Sequence, residues 1–276
     1  MAIISVRRPH YMYSYDKFQP VNFAFHMHQY YEILYFVKGN AKYVIENKEF
    51  DIDEGDVFMT RPNELHTIIF SSNSIYERHF VQFDDDFLKS LSPTVYERAN
   101  TVFFTNKISR DTVKQYGIDK LFENISVCMS KKNAEWDLLA KTYIAQMLVA
   151  ICNIYNANEY ITSISSKKIT LIKQYLNSHF TDDFSLQKIA GEMFMNKYYM
   201  CHIFKEEVGM TIKEYIEMLR FTYALRLHYE GKKLSDIALM CGYSDYSLFY
   251  KNFTKHSNGV SPTEFFKRNN KTPLFK

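Results

Sequence analysis

Ser185-Leu186-Gln187-Lys188-Ile189-Ala190, with Asn196-Lys197-Tyr198-Tyr199-Met200, Phe204-Lys205 and Gly209 after it, is repeated later in the chain. The second copy runs Leu234-Ser235-Asp236-Ile237-Ala238, Gly242-Tyr243-Ser244, Leu248-Phe249, Phe253, Lys255 and Gly259. Each copy reads as a short helix capped by Ser, a tight turn ending in Asn or Ser, and a second amphipathic helix closed by Gly. Two helices joined by a three- or four-residue turn form a helix-turn-helix, which lays its second helix in a DNA major groove. Two such units, about 48 residues apart, predict two groove insertions by one chain.

Helical patterning extends on both sides of the repeat. It predicts helices over residues 168–179, 185–193, 197–208, 211–230, 235–241, 245–255 and 262–267. The 211–230 helix bridges the units, and a rigid connector places the bases they reach about one turn apart, roughly 10 bp. A reading helix must divide its faces. Met200, Ile203 and Phe204 form the inward face of the first, leaving Lys197, Tyr198, Cys201, His202 and Lys205 outward. Phe249, Asn252 and Phe253 lie inward on the second, with Tyr246, Ser247, Tyr250 and Lys251 outward.

Charge follows the same division. Residues 1–166 carry 17 basic and 20 acidic side chains, whereas residues 167–276 carry 17 and 11, so the repeat lies in the positive half, as a phosphate-binding surface requires. With 46% apolar residues over 276 positions, the chain has enough to build two cores. Its cysteines, Cys128, Cys152, Cys201 and Cys241, lack metal-ligand spacing and read as reduced thiols, Cys152 and Cys241 at core positions. The N-terminus has too short an apolar run for a signal peptide, and no run of about 18 apolar residues is evident, so a cytoplasmic protein without a membrane span is expected.

The front of the chain has a different period. From Phe23 to Phe83, short alternating segments such as 32–37, 41–46, 56–60, 67–70 and 78–83 are broken by Gly39-Asn40, Gly55 and Pro62-Asn63, which reads as a sandwich or barrel. Asp84-Asp85-Asp86 starts a helix, where carboxylates meet the positive end of the dipole. Residues 111–131 and 135–157 follow with helical spacing. Leu138, Leu139, Tyr143, Met147, Leu148, Ile151 and Ile154 form a wide stripe, which predicts packing on the barrel and pairing with a second copy.

Residues 168–268 resemble the DNA-binding region of the AraC/XylS family of bacterial transcription regulators. The resemblance is carried by Ile189-Ala190, Asn196, Phe204-Lys205 and Gly209-Met210-Thr211 in the first unit. In the second it is carried by Arg220, Ala224, Leu227, Ile237-Ala238, Gly242-Tyr243, Phe249, Phe253 and Gly259-Val260-Ser261-Pro262. It implies base-contacting positions at Tyr198, Cys201 and His202, then at Tyr246, Ser247, Leu248 and Lys251. None is Arg, so readout through Tyr, Ser, Lys and thymine methyls is expected, favouring A·T-rich sites. Three positions depart from the pattern. Phe194 stands where a turn glycine is common, one extra residue separates Phe253 from Gly259, and Phe266 replaces an Arg.

The spacing His26-x-His28-x-x-x-Glu32, with Gly39, Gly55-Asp56, Pro62 and His66, is similar to the two motifs of cupin barrels. That resemblance implies either a small-molecule pocket using His26, His28, Glu32, Tyr35, Arg61 and His66, or a divalent metal held by His26, His28, Glu32 and His66. His26 and His28 are two apart on a strand and face the same way, and imidazole with carboxylate suits Zn, Fe, Mn or Ni. Tyr30 and Phe58 are candidate aromatic walls.

The expected architecture is a two-domain α+β chain. Residues 1–110 form a cupin-like effector-binding β-barrel and residues 111–158 a helical dimerisation segment. Residues 159–167 form a linker, and residues 168–276 an all-α DNA-binding domain with two helix-turn-helix units. The expected function is a non-enzymatic, homodimeric transcription regulator that takes no cofactor. It binds double-stranded DNA under the control of a small effector, carbohydrate being one class, with RNA polymerase as a further partner. The alternative is a metal-dependent cupin enzyme with an appended DNA-binding or targeting module.

Overall fold

The computed structural model describes residues 2–19, 25–71, 74–102, 106–131, 134–157, 164–257 and 259–269. The chain divides into two compact units, Met1–Ile161 and Thr162–Lys276. The first contains β1 (Ala2–Arg7), β2 (Tyr11–Phe18), β3 (Tyr31–Lys38), β4 (Ala41–Ile45), β5 (Lys48–Asp51), β6 (Val57–Thr60), β7 (His66–Phe70) and β8 (Tyr76–Phe83). These are followed by α1 (Asp85–Leu91), α2 (Pro93–Val102), β9 (Lys107–Ile108), α3 (Arg110–Gln115), α4 (Ile118–Lys131) and α5 (Trp136–Ala157). The strands form a six-stranded sheet, β1-β2-β8-β3-β6-β9, and a three-stranded sheet, β5-β4-β7.

Period-2 alternation assigns the two faces of the large sheet. Tyr31 and Ile33 of β3, with Met59, Val81 and Phe83, join Phe122 and Ile125 of α4 and Ala140, Ile144, Met147 and Ile151 of α5 in one core. Leu34 and Phe36, with Phe58 and Phe80, face Tyr43, Ile45 and Ile68 of the small sheet in another. At about 25 cal/mol per Å² of apolar area removed from water, these two layers supply most of the unit's stabilisation.

The strands read from the sequence are all present, but β1, β2, β5 and β9 were not anticipated. Tyr11 to Ser14 are buried on both sides, which erases the alternation that marks a half-buried strand. Asp84 caps α1, accepting from Phe87 N at 2.9 Å. The single helix expected over 111–131 is broken into α3 and α4 at Gly117, whose φ is +68°. The stretch Trp136–Ile154 is, by length and composition, apolar enough to cross a membrane, with mean hydropathy 1.2 over 19 residues. Asp137, Lys141, Gln146 and Asn153 interrupt its apolar residues, and one face of α5 completes the core.

The second unit holds α6 (Ile164–His179), α7 (Leu186–Glu192), α8 (Lys197–Val208), α9 (Ile212–Tyr229), α10 (Leu234–Met240), α11 (Tyr246–His256) and α12 (Pro262–Asn269). Of the residues expected as the linker, 159–167, positions 159–163 lie outside the described residues and 164–167 form the start of α6, so the helix begins earlier than expected. Ser185 caps α7 as expected, but α10 begins after Lys233 without a side-chain cap, because Ser235 lies one residue inside the helix. Thr211 and Glu214 form a capping box at the start of α9, satisfying two backbone donors reciprocally. Ala224 and Leu227 of α9, Ile237, Ala238 and Cys241 around α10, Phe249 and Phe253 of α11 and Phe266 of α12 make one core. Phe266 stacks on His228 at 3.9 Å between ring centres, so this departure from the family pattern fills core volume.

Candidate functional site

The helices α8 and α11 begin at side-chain caps. Asn196 Oδ1 accepts from Tyr198 N at 2.9 Å and Tyr199 N at 3.3 Å, and Asp245 Oδ1 accepts from Leu248 N at 2.8 Å. Such caps are worth ~1 kcal/mol each and fix where the helix starts, hence which side chains lead it. The turn from Glu192 to Lys197 is one residue shorter than that from Met240 to Tyr246. The repeat therefore shifts by one across the turn, making Met200 equivalent to Phe249 and His202 to Lys251.

Burial divides each helix as the sequence predicted. Met200, Ile203 and Phe204 are buried, and so are Phe249 and Phe253. Tyr198 is 77% exposed, and His202 and Lys205 are exposed beside it. Lys197 and Cys201 are half-buried, and Lys197 Nζ lies 5.0 Å over the Tyr198 ring. His202 Nε2 stands 3.7 Å from Glu206. On α11, Tyr246, Ser247, Leu248, Tyr250 and Lys251 are all exposed. Asn252 is half-buried, its Nδ2 donating to Leu248 O one turn back on the same helix at 3.2 Å. All nine side chains expected to meet DNA thus lie on α8 and α11, seven of them exposed.

The N-terminal unit gathers a different set of groups. His28, Glu32 and His66 are buried, with one ligand atom from each lying within 4.8 Å of the others. His28 Nδ1 bonds Tyr30 O at 3.0 Å and His66 Nδ1 bonds Glu64 O at 2.8 Å, which turns both Nε2 atoms inward. Burial, reinforced by His26 and His28, pushes the His66 pKa well below its ordinary value. A neutral His66 donating from Nδ1 leaves Nε2 as a buried acceptor, with no hydrogen-bond partner among the described residues. Burial would raise the Glu32 pKa, but the hydrogen bond from His28, with the charge of Arg78 among other contributions, holds it well below the carboxylate range.

Gln82, which sequence reasoning missed, completes the cluster. It lies opposite Glu32 in the β3–β8 register, and its Nε2 donates to Glu32 Oε2 at 2.8 Å and stands 3.3 Å from His28 Nε2. The alternation Arg78, Phe80, Gln82 on β8 carried the signal, since all three share one face. Tyr43 OH donates to Glu32 Oε1 at 3.4 Å.

The other expected pocket residues are placed differently. His26 is half-buried and pairs with His66 through the backbone, rings 4.3 Å apart, but contributes no ligand atom to the cluster. Tyr35 faces the opposite side of β3, stacked on Phe122, because three residues from Glu32 is an odd number. Arg61 pairs through two nitrogens with buried Glu64. Tyr30 has its ring 6.3 Å from His28, and Phe58 belongs to the inter-sheet core. His28, Glu32 and His66 have the donor chemistry of a metal site, and within it the Gln82 amide hydrogen-bonds Glu32 Oε2.

Residues 10–148 match the model of the AraC-like ligand binding domain, and residues 189–268 match that of a helix-turn-helix domain. The uncharacterized HTH-type transcriptional regulator YbfI of Bacillus subtilis is 20% identical over 227 residues, spanning 82% of this chain and 80% of its own. The HTH-type transcriptional activator RhaR of Pectobacterium carotovorum is 22% identical over 256 residues, 91% of this chain and 88% of its own. ToxT of Vibrio cholerae, solved with unsaturated fatty acid bound, shares the fold at TM-score 0.53 and 17% identity, covering 94% of this chain and 95% of that one. With one model spanning half the chain and the other its paired helices, the chain belongs to the AraC-like family, a DNA-binding transcription regulator with an effector domain and not an enzyme.

Proposed function

We propose that α8 and α11 read two successive major-groove segments, with Tyr198, Cys201 and His202 of one and Tyr246, Ser247, Leu248 and Lys251 of the other at base edges. Lys197 and Lys205 meet phosphate. The observation that supports this is the division of both helices into a buried apolar face and an exposed polar and aromatic one, each starting at a side-chain cap. Gel shift against the chain's own upstream DNA tests it. The expected result is a sequence-selective shift weakened by salt, through counterion release from each neutralised phosphate. No selective shift, with or without candidate ligands, sinks the reading.

The effector, in the same proposal, binds between the two sheets at the Glu32, Gln82 and His66 end. Two acceptors, the Glu32 carboxylate and His66 Nε2, stand beside one amide donor. That set favours an uncharged, hydroxyl-bearing ligand such as a carbohydrate. A carboxylate, as on the fatty acid that ToxT holds, would be repelled by Glu32. Thermal-shift titration with neutral sugars against fatty acids distinguishes the two classes.

A homodimer through α5, contact with RNA polymerase and a cytoplasmic location complete the proposal. The dimer is supported by Leu138, Leu139 and Val149, which stay exposed on the side of α5 away from its core.

A further inference from the structure

The second helix-turn-helix unit is clamped to the end of α6 through Arg220 and Gly242. Arg220, midway along α9, donates from Nε to Phe180 O at 2.7 Å and from Nη2 to Asp182 O at 2.9 Å. Its guanidinium also lies 5.1 Å over the ring of Tyr243, the residue that follows the left-handed Gly242 in the second unit's turn. Gly242 itself presses on the same loop. A Cβ there would stand 2.1 Å from Thr181 O and 2.7 Å from Thr181 C, both backbone atoms. The loop 180–182 is therefore held between the bridging helix and the turn of the second unit.

The loop belongs to the first unit through α6. Lys168 Nζ of α6 lies 5.0 Å over the ring of Tyr199 on α8, Ile172 and Leu176 of α6 are fully buried, and Tyr215 OH of the bridging helix α9 donates to Asn177 Oδ1 at 3.1 Å. The bridging helix alone would leave α11 free to bend or twist relative to α8 by the ordinary compliance of one helix. The clamp adds a second connection, making a closed loop of contacts from α8 through α6 and residues 180–182 to the turn that starts α11.

We infer that Arg220, with Gly242 beneath it, is the positioning residue that fixes the phase between the two reading helices, and so sets how strictly the chain measures the spacing of its two half-sites. This rests on the DNA-reading role proposed above. Arg220 makes no contact with DNA on this reading. It acts through the turn that aims α11. A one-base-pair insertion between half-sites moves the second by about 3.4 Å and about a tenth of a turn, which a locked pair of helices cannot follow.

The test uses the full-length chain. Binding sites are selected from a random DNA library with the wild type, and affinity is then measured on the selected site with one base pair inserted or deleted between its halves. The wild type is expected to lose about tenfold or more on either change, the scale of one lost groove contact. Arg220→Ala is expected to lose about threefold or less, while binding the optimal site more weakly. Arg220→Lys, which keeps a charge but not the two-pronged donor, is expected to fall between them. The readout is a ratio within one protein, so a lower folded fraction cancels from it, and Arg220→Lys carries the test where Arg220→Ala fails to fold. Equal spacing penalties in the wild type and both variants overturn the clamp alone. A wild type that selects no paired half-sites overturns the DNA-reading proposal, and the clamp with it.

Discussion

Phe194 and Gly242 hold the same left-handed position in the two helix-turn-helix turns, with φ of 51° and 78°. The hydrogen bonds around them also match. Met195 N donates to Ala190 O at 2.9 Å, as Tyr243 N donates to Ala238 O at 3.2 Å. The surroundings differ completely, because Gly242 lies against Thr181 while Phe194 is 98% exposed. The repeat thus conserves a backbone shape while one copy carries a side chain that gains nothing from burial and opposes that shape.

Replacing Phe194 should therefore help the fold. The left-handed conformation costs an ordinary residue about 1–2 kcal/mol, and Asn tolerates it better. Phe194→Asn is expected to stabilise by about 0.5–1 kcal/mol, read as a higher thermal midpoint. Destabilisation by Phe194→Asn would show that the ring has a partner.

Stability should rise with pH through the mildly acidic range because of His79. Burial lowers its pKa from 6.5 to about 4, against the opposing pull of Glu77 and Asp16. The folded state thus binds fewer protons than the unfolded state between those values. The stabilisation is complete above about pH 6.5 and is lost as pH falls toward about 4, amounting to up to about 3 kcal/mol. His79 stacks on Tyr15 at 4.4 Å, so Phe fills its place. Urea unfolding of His79→Phe at several pH values is expected to show a flatter dependence in that window, and an unchanged slope would assign it elsewhere.

Gln82 should decide whether the interior cluster takes up metal. With its amide 2.8 Å from Glu32 and 3.3 Å from His28, the wild type is expected to copurify with no stoichiometric Zn or Ni. Gln82→Ala leaves His28, Glu32 and His66 as an open three-donor set and is expected to gain metal, measured by elemental analysis after supplemented growth. Stoichiometric metal in the wild type would contradict this account.

The two reading helices should contribute unequally. His202→Ala is expected to cost more sequence discrimination than Lys251→Ala, within about 1–3 kcal/mol for each. Lys205→Ala, at a phosphate contact, is expected to weaken binding more evenly across sites. Competition gel shifts with specific and random DNA give both numbers, and the reverse ranking would assign selectivity to the second unit.

The exposed stripe on α5 should set the oligomeric state. Leu138 is 64% exposed and Val149 47% exposed on the side away from the core. Leu138→Glu and Val149→Glu together are expected to shift a dimer to a monomer in sedimentation velocity without lowering the thermal midpoint. An unchanged sedimentation coefficient places the dimer contact elsewhere.

The repeat was legible in the sequence by itself, because a helix-turn-helix is local. The caps Ser185 and Asn196 and the three-to-four spacing of Met200, Ile203 and Phe204 are written within about 25 residues, whereas the second unit's helices start at Lys233 and Asp245 instead of the expected Ser. Strands β3, β4, β6, β7 and β8 were legible for the same reason, through alternation and turn residues. The contacts that close the site required the fold. Gln82 meets Glu32 only because β8 pairs with β3 across 50 residues, and Tyr35 leaves the cluster because that pairing fixes which face is interior. Arg220 meets residues 180–182 across 38 or more positions through backbone carbonyls, which no side-chain pattern records. Periodicity specifies a face of each element, but which face meets which is decided when the elements pack, and the Glu32 cluster and the Arg220 clamp belong to that second step.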